Sequence, residues 1–376
     1  MSASIDFPRP VSGAVLADPV EPTVLGDLGE RRIFADILAP SYKDVTAFGD
    51  DCAVLGGGVV VTTDSCPTPM VDQLGDADPY AAGWLLATIN LSDLAAAGAE
   101  PSGLVVNYTL PTETPVGELR QIIKGVNECA TSHDTEVVGG DIRDGKARHL
   151  SATAIGRTPR HLNRYGRMTD DRLSRRGAKA SDVLLLIGNP GNLWGAALVH
   201  RGHADVPAHV AEPVFELARK PVAQLKAGQL LAQRRLATAA MDVSDGLFAS
   251  VKILAETNGV GAVMEPDIRL SDPLMTICEA AGVSPFQLAQ NWGDWCLLVA
   301  VKAKNVPSVG YLLGNHGIGV HRVGSLTSDP SRILVGGPDG PQPWAGIDQE
   351  RFTASSWQGD GIDAHIAWMQ DRSRRP

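Results

Sequence analysis

Five short stretches of this chain end on a carboxylate or turn around one: GDD at 49–51, TTD at 62–64, LSD at 91–93, GGD at 139–141 and DVSD at 242–245. Each sits at the end of a predicted strand or among small residues. Oxygen-rich sets of this kind suit a hard divalent cation, above all Mg²⁺, which binds through a few carboxylates and completes its shell with water and substrate phosphates. In MDVSDGL, Asp242 and Asp245 stand three residues apart with only Ser244 and a glycine around them. If a helix begins near Ser244, both carboxylates fall near one end of it and repel unless something positive lies between them. The local sequence supplies no cation. Asp93 is the hardest to explain as an ordinary polar residue. It follows ATINL and precedes LAAAGA, in a helix with almost no other charge, where an unpaired buried carboxylate costs several kcal/mol or gives up its charge. A metal ion is one natural partner, and a buried arginine is the structural alternative. The others have plainer readings: Asp50, Asp51 and Asp64 as turn residues, Gly139 to Asp141 as a strand-to-loop turn, and Ser244 or Asp242 as a helix N-cap.

The elements that must position these groups alternate between strand-like apolar runs and helix-like stretches, which predicts an α/β or α+β fold. After a proline-bearing lead-in at 1–22, DLGERRIFADIL predicts a helix ended by Pro40. VVVTTD, at 59–64, predicts a β-branched strand that Pro67 and Pro69 keep from continuing. An Ala-rich helix follows from about Tyr80, broken by Gly98 and Pro101. GLVVNYTLP, EVVGGD and RHLSATAIGR predict strands, and VGELRQIIKGVNECATSH carries apolar positions at helical spacing. The segment 158–180 is polar, arginine-rich and without apolar periodicity, and marks a domain boundary. DVLLLIGNPGNLWGAALVH then restarts the pattern as strand, glycine turn and helix, and CLLVAV and HRVGSL close the regular part. The expected domains are 23–160 and 175–340, followed by a polar tail at 341–376 with a short helix around Trp368.

With 376 residues, 44% of them apolar, the chain is long enough for two domains with a sizeable core. Acidic residues outnumber basic ones 43 to 33, a net charge of −10. That balance argues against a sequence-independent grip on nucleic acid or on an anionic membrane. A polyanionic ligand would need local help from metal ions or helix ends. The five cysteines show neither a CxxC pair nor metal-ligand spacing, so reduced thiols in a cytoplasm fit best. No secretory signal is read at the N-terminus, and YAAGWLLATINLSDLAAAGA, with Asp93 inside it, is rejected as a membrane span. Familiar nucleotide motifs fail: GDIRDGKA lacks the Ser or Thr after its lysine, GNPGNLWG lacks dinucleotide spacing, and no GxSxG is present.

GDDCAVL, VTTD, NLSDLAAAGAEP, VVGGD, TAIGR and MDVSDGL occur in the order, and at roughly the spacings, of the thiamine-monophosphate kinases. These belong to the superfamily named for aminoimidazole ribonucleotide synthetase, and DLGERRIFADIL resembles that family's opening helix. The resemblance covers about Thr23 to about Val323. It implies a PurM-like two-domain fold, with an N-terminal sheet that forms a barrel shared by a homodimer and a C-terminal α/β domain. ATP and Mg²⁺ would lie in the cleft between the domains. Carried over residue by residue, the metal ligands would be Asp51, Thr62, Thr63, Asp64, Asp93, Asp141, Asp242 and Asp245, with Asp93, Asp242 and Asp245 at the catalytic centre. Ser244, Asp141, Arg175 of RRGA and His133, which stands where the family often has a tyrosine, would approach the nucleotide.

The acceptor side departs from the family. Val71 takes the place of a histidine usual there, and the family's GGEDYEL reads NWGDWCL, with Gly293, Trp295 and Cys296 replacing glutamate, tyrosine and the second acid. The expectation is therefore an ATP- and Mg²⁺-dependent kinase acting on a small-molecule acceptor that need not be thiamine monophosphate. An ATP-dependent ligase or cyclase that activates an amide or carbonyl oxygen is the alternative, and a nucleotide-binding protein without turnover is the third reading.

Overall fold

Five strands build the first sheet: β1 (Ala53–Gly56), β2 (Val59–Ser65), β3 (Glu100–Leu110), β4 (Val137–Asp144) and β5 (His149–Arg157), in the order β1-β2-β5-β3-β4. Only β3 and β4 run parallel in it. A short hairpin, β6 (Arg160–Leu162) and β7 (Met168–Asp170), follows in the polar stretch expected to separate the domains. The second sheet comprises β8 (Asp182–Ile187), β9 (Ala237–Asp242), β10 (Gly261–Met264), β11 (Leu297–Lys302), β12 (Val320–Thr327), β13 (Ile333–Val335) and β14 (Gln342–Pro343). Its order is β14-β13-β10-β12-β8-β11-β9. This computed structural model describes residues 24–42, 49–75, 77–162, 164–348, 350–352 and 361–371, so the expected lead-in at 1–22 lies outside the described residues.

The apolar run of β8 follows from its place in the molecule. Its neighbours β11 and β12 are antiparallel to it, an arrangement that often leaves one face wet. Here Leu184 and Leu186 enter one hydrophobic core while Val183, Leu185 and Ile187 enter the other, so both faces are covered. Part of the cover on the second face comes from the first half of the chain, through the helix Pro79–Ala96.

That helix starts where Asp78 accepts a hydrogen bond from the Tyr80 amide at 3.0 Å and Pro79 fills the first turn. Its chain turns away at Gly98, whose φ is +67°. Fifteen of its 18 residues are buried, so it carries no amphipathic stripe and acts as a wall shared by both sheets. Trp84 Nε1 and Thr88 Oγ1 both donate to the Pro221 carbonyl, at 2.9 and 3.0 Å, tying the wall to the second half of the chain. Small residues let its neighbours approach closely. A Cβ on Gly83 would lie 1.9 Å from the Ile122 carbonyl oxygen of the helix Val116–Ser132, and one on Gly125 would lie 2.1 Å from the Tyr80 carbonyl oxygen.

Two local expectations change. Pro40 does not end the first helix: Glu30–Arg32 continues through a wider π-helical stretch, Ile33–Leu38, into Ala39–Ser41. The wider turn suits a proline, which cannot donate to the usual carbonyl. Pro101 lies inside β3, where the pairing with β5 shifts register between Pro101 and Gly103. The short helix expected in the tail around Trp368 is present. It spans Gly361–Gln370 and buries Ile362, Ile366 and Met369 in the core that holds Leu184 and Leu186. The five cysteines are free, and among the described residues no helix is long and apolar enough to cross a membrane.

Gly83→Ala is expected to destabilise the protein by about 3 kcal/mol, because neither helix backbone can yield to a Cβ at that distance. Equilibrium urea unfolding measures it, and a midpoint equal to wild type would show that the contact is looser than described.

Candidate active site

Four of the five aspartate stretches converge. Asp50, Asp51, Asp64, Asp93, Asp242 and Asp245 line one cavity of about 560 Å³, together with Thr62, Thr63, Ser244 and Arg175. The local folding explains each position. Asp51 sits just before β1, and β2 delivers Thr62, Thr63 and Asp64 at its far end. Asp93 lies in the last turn of the shared wall helix, Asp242 is the last residue of β9, and Ser244 and Asp245 occupy the turn before the helix Leu247–Asn258. That helix starts at Gly246, later than Ser244, and both acids lie ahead of its N-terminus, an end that favours negative charge.

At the floor, carboxylate oxygens of Asp51, Asp93 and Asp242 all lie within 4.8 Å of one another. Asp51 and Asp242 are buried, at 8% and 4% exposure. Asp93 Oδ2 accepts from Thr62 Oγ1 at 2.5 Å, and Asp242 Oδ2 from Ser92 Oγ at 3.4 Å. One guanidinium lies beside them: Arg175 Nε and one terminal nitrogen donate to Asp51 Oδ1 at 3.0 and 2.5 Å. Asp50 orients that arginine, accepting from its backbone amide at 3.0 Å and from Ser174 Oγ at 2.6 Å. Burial raises the Asp51 carboxyl above its ordinary range in spite of Arg175. Burial and then the charges of Asp242, Asp64 and Asp51 push Asp93 well up. Asp242 is likewise pushed well up by burial and the Asp51 charge, with Arg175 pulling the other way.

The structure therefore holds the structural alternative and the metal reading side by side. Arg175 pairs with Asp51, so it reaches the site through a carboxylate, whereas the sequence resemblance placed it against the nucleotide. One guanidinium does not balance three carboxylates. Asp51 Oδ2 is buried with no hydrogen-bond partner among the described residues, and such an orphaned acceptor calls for a missing group. Oxygen-only donors, closely spaced and partly open to a roomy cavity, fit Mg²⁺.

Two sequence-derived residues stay away from this cavity. Asp141 lies on β4, exposed, with an oxygen 3.7 Å from Arg143 Nε. His133 closes the helix Val116–Ser132, where Nδ1 lies 2.9 Å from the Cys129 carbonyl and Nε2 lies 3.2 Å from the Ala223 carbonyl. Val71, Gly293 and Trp295 do come together, around a neighbouring void of only about 20 Å³. Trp295 lines both spaces and packs on Leu85 and Ile89 of the wall helix.

Sequence reasoning missed several residues. Asp294, between Gly293 and Trp295, accepts from the amides of Gly191, Asn192 and Leu193 at 2.7, 3.0 and 3.3 Å and so secures the glycine turn of GNPGNLWG. Burial pushes its carboxyl up to about 6 against the pull of those amides. Glu30, Arg31, Glu350 and Arg351 also line the large cavity. The charge-rich ERR after a glycine was the only local hint for the first pair, and nothing in the tail's composition marked the second.

Residues 49–158 match the family described as AIR synthase related protein, N-terminal domain, and residues 179–336 match its C-terminal domain. The thiamine-monophosphate kinase of Corynebacterium glutamicum is 32% identical over 269 residues, 70% of this chain and 77% of that protein. The thiamine-monophosphate kinase of Mycobacterium tuberculosis is 29% identical over 355 residues, 91% of this chain and 94% of that protein. Among solved structures, AaThiL complexed with AMPPCP and TMP superposes with a TM-score of 0.70 at 23% identity, covering 84% of this chain and 96% of that one. The hydrogenase maturation protein HypE in complex with ATP gives 0.60 at 17% identity, covering 88% and 99%. These two likenesses speak to the fold.

Asp93→Asn and Asp242→Asn are each expected to melt no lower than wild type without metal, because each removes a crowded buried charge, and to lose the rise in Tm that millimolar Mg²⁺ gives wild type. Thermal scans with EDTA and with Mg²⁺ read this directly. A full Mg²⁺ response in both variants would remove these carboxylates from the metal site.

Proposed function

The chain belongs to the AIR synthase related protein family, and from that premise we propose that its cleft transfers the γ-phosphoryl group of ATP to a small-molecule acceptor, as a kinase of the thiamine-monophosphate kinase type. The observation that carries the reading is the convergence of Asp51, Asp93 and Asp242 from both sheets and the wall between them. Phosphoryl transfer passes through a loose transition state in which catalysis is mostly positioning and charge stabilisation, so a rigid acidic floor facing a roomy cavity suits it. Asp51, Asp93 and Asp242 would hold Mg²⁺ with Thr62, Thr63, Asp64 and Asp245 around them. When bound, the metal supplies neutralisation of the phosphate charge.

The chain's own residues do the rest. Thr62 fixes the Asp93 carboxylate, Arg175 fixes that of Asp51, and Asn90 fixes the end of β2 by accepting from the Asp64 amide at 3.1 Å. Ser244, at the lip, would meet the nucleotide. The domain division at 23–160, 175–340 and 341–376 supports this reading, since each of the first two units contributes carboxylates. Pairing of two copies through the first sheet also belongs to it, because Leu55, Val138 and Ile142 stand 68%, 55% and 59% exposed on strands of that sheet. Asp141 and His133, outside the cavity, have no part in the chemistry proposed for it.

The acceptor end is apolar and tight. A Cβ on Gly293 would lie 2.2 Å from Leu193 Cδ2, and the φ of Gly293 is +106°. Leu193 thus fills the space where a carboxylate at 293 would stand, and Val71 and Met70 close the same wall.

Two outcomes are expected. The protein converts thiamine monophosphate at least about a hundredfold less efficiently than its own acceptor, the loss of two polar contacts at about 1.4 kcal/mol per factor of ten. Steady-state kinetics with product identification would decide, and efficient formation of thiamine diphosphate would overturn the acceptor argument while leaving phosphoryl transfer intact. Gly293→Glu, in turn, restores the family residue without restoring the activity. It destabilises the fold by about 2 kcal/mol through the clash and the left-handed backbone, as a calorimetric melt would read.

A further inference from the structure

The polar tail returns to the cavity. After β14, Trp344 is buried and meets the ring of Phe248 edge-on at 4.8 Å, with Phe286 at 5.7 Å. Gly346 lies flat on Phe248, since a Cβ there would sit 2.4 Å from the ring. Asp348 then bridges two parts of the chain, with one oxygen 2.7 Å from Lys252 Nζ and the other 2.7 Å from an Arg31 terminal nitrogen. Two further bonds fasten the tail to the first helix: the Arg31 amide donates to Glu350 Oε1 at 2.9 Å, and the Glu30 amide donates to the Arg351 carbonyl at 3.1 Å. These contacts lace the opening helix to the helix that follows MDVSDGL and set Arg351 in the lining of the large cavity.

Resting on the kinase reading, we propose that this strap supplies Arg351 as a phosphate-binding residue in the lining of the large cavity. Three observations carry it. The strap is anchored ahead of Arg351 by an aromatic slot and at Glu350 and Arg351 by the amides of Arg31 and Glu30. The Arg351 side chain remains half exposed, at 52%. Its ion pair is loose, with a terminal nitrogen 3.5 Å from Glu30 Oε1, so an incoming phosphoryl oxygen can replace that partner. The chemistry matches as well. Among acidic groups that repel a triphosphate, a planar guanidinium offers paired donors to phosphate oxygens, and Arg175 is already committed to Asp51. The phosphate could belong to ATP or to a phosphorylated acceptor, and both present the same oxygens.

The test uses the full-length chain. Dissociation constants are measured calorimetrically for AMPPCP and for ADP, each with Mg²⁺, in wild type, Arg351→Gln and Arg351→Lys. If the terminal phosphate of ATP is the ligand, Arg351→Gln weakens AMPPCP by about tenfold or more and ADP by much less, with Arg351→Lys in between. If the phosphate is the acceptor's, AMPPCP is unchanged and the binding of inorganic phosphate to AMPPCP-saturated protein falls by a similar factor. Either result supports the assignment, provided Arg351→Lys melts within a few degrees of wild type. Wild-type affinities for all three ligands in Arg351→Gln would overturn it and leave the kinase reading standing. Wild-type protein that binds no AMPPCP with Mg²⁺ would overturn both. Asp348→Asn, which keeps Arg351 and loosens the strap, is expected to reproduce the Arg351→Gln pattern in weaker form, and full affinity there would show that the strap does not position the arginine.

Discussion

Mutual repulsion among Asp51, Asp93 and Asp242 is the constraint around which the molecule is organised. Three carboxylates with oxygens within 4.8 Å of one another, pressed together by burial and steadied by a single guanidinium, form an arrangement that no folding force favours by itself. It persists because each acid is delivered by a different rigid element, whose packing has nothing to do with charge. Asp93 rides on a helix buried on nearly every side, Asp242 ends an inner-facing strand, and Asp51 precedes an edge strand clamped by Arg175. On the proposed reading, the unfavourable term is stored as an affinity for a divalent cation, which would turn the repulsion into attraction.

The wall helix is what makes the two halves one active site. A helix with a single apolar stripe would pack on one sheet and leave its polar side to water. Ala-rich composition and Gly83 instead let neighbours close in from all sides, so the helix reaches the edge of the cleft with Asp93 and Ser92 facing β9. The apolar, two-sided β8 is the complementary feature. Domain boundaries drawn along the sequence thus separate units that share a core, and catalytic geometry between them rests on hydrophobic packing.

Much of this was legible before the structure. Strand and helix order, the aspartates at strand ends and the isolation of Asp93 all follow from local patterns, because periodicity and unpaired charge are properties of short segments. What was not legible depended on distant contacts. Asp141 has the same local signature as Asp64, a carboxylate in a strand, yet β4 is the outer strand of its sheet and carries it away from the cleft. Gly293 read as a lost carboxylate, and only the structure shows Leu193 standing in its place. Pro101 looked like a breaker because a proline's lost donor is harmful in a regular ladder, and the shift in pairing beside it could not be foreseen. The tail read as polar with one short helix, and its anchoring was not legible, since that rests on Trp344 finding Phe248 and Phe286, residues far away in sequence.

The two ends of the cavity consequently obey different rules. At the end proposed for the metal, every departure from oxygen donors would leave a repulsive cluster without its counterion, so electrostatics constrains the composition there. At the end proposed for the acceptor the constraint is shape. Leu193, Val71 and Trp295 fill volume against the wall helix, and exchanging a polar contact for an apolar one costs the fold nothing if the space stays filled. On the proposed reading, acceptor specificity is decided by packing that tolerates substitution, and the phosphoryl-transfer floor by charges that do not.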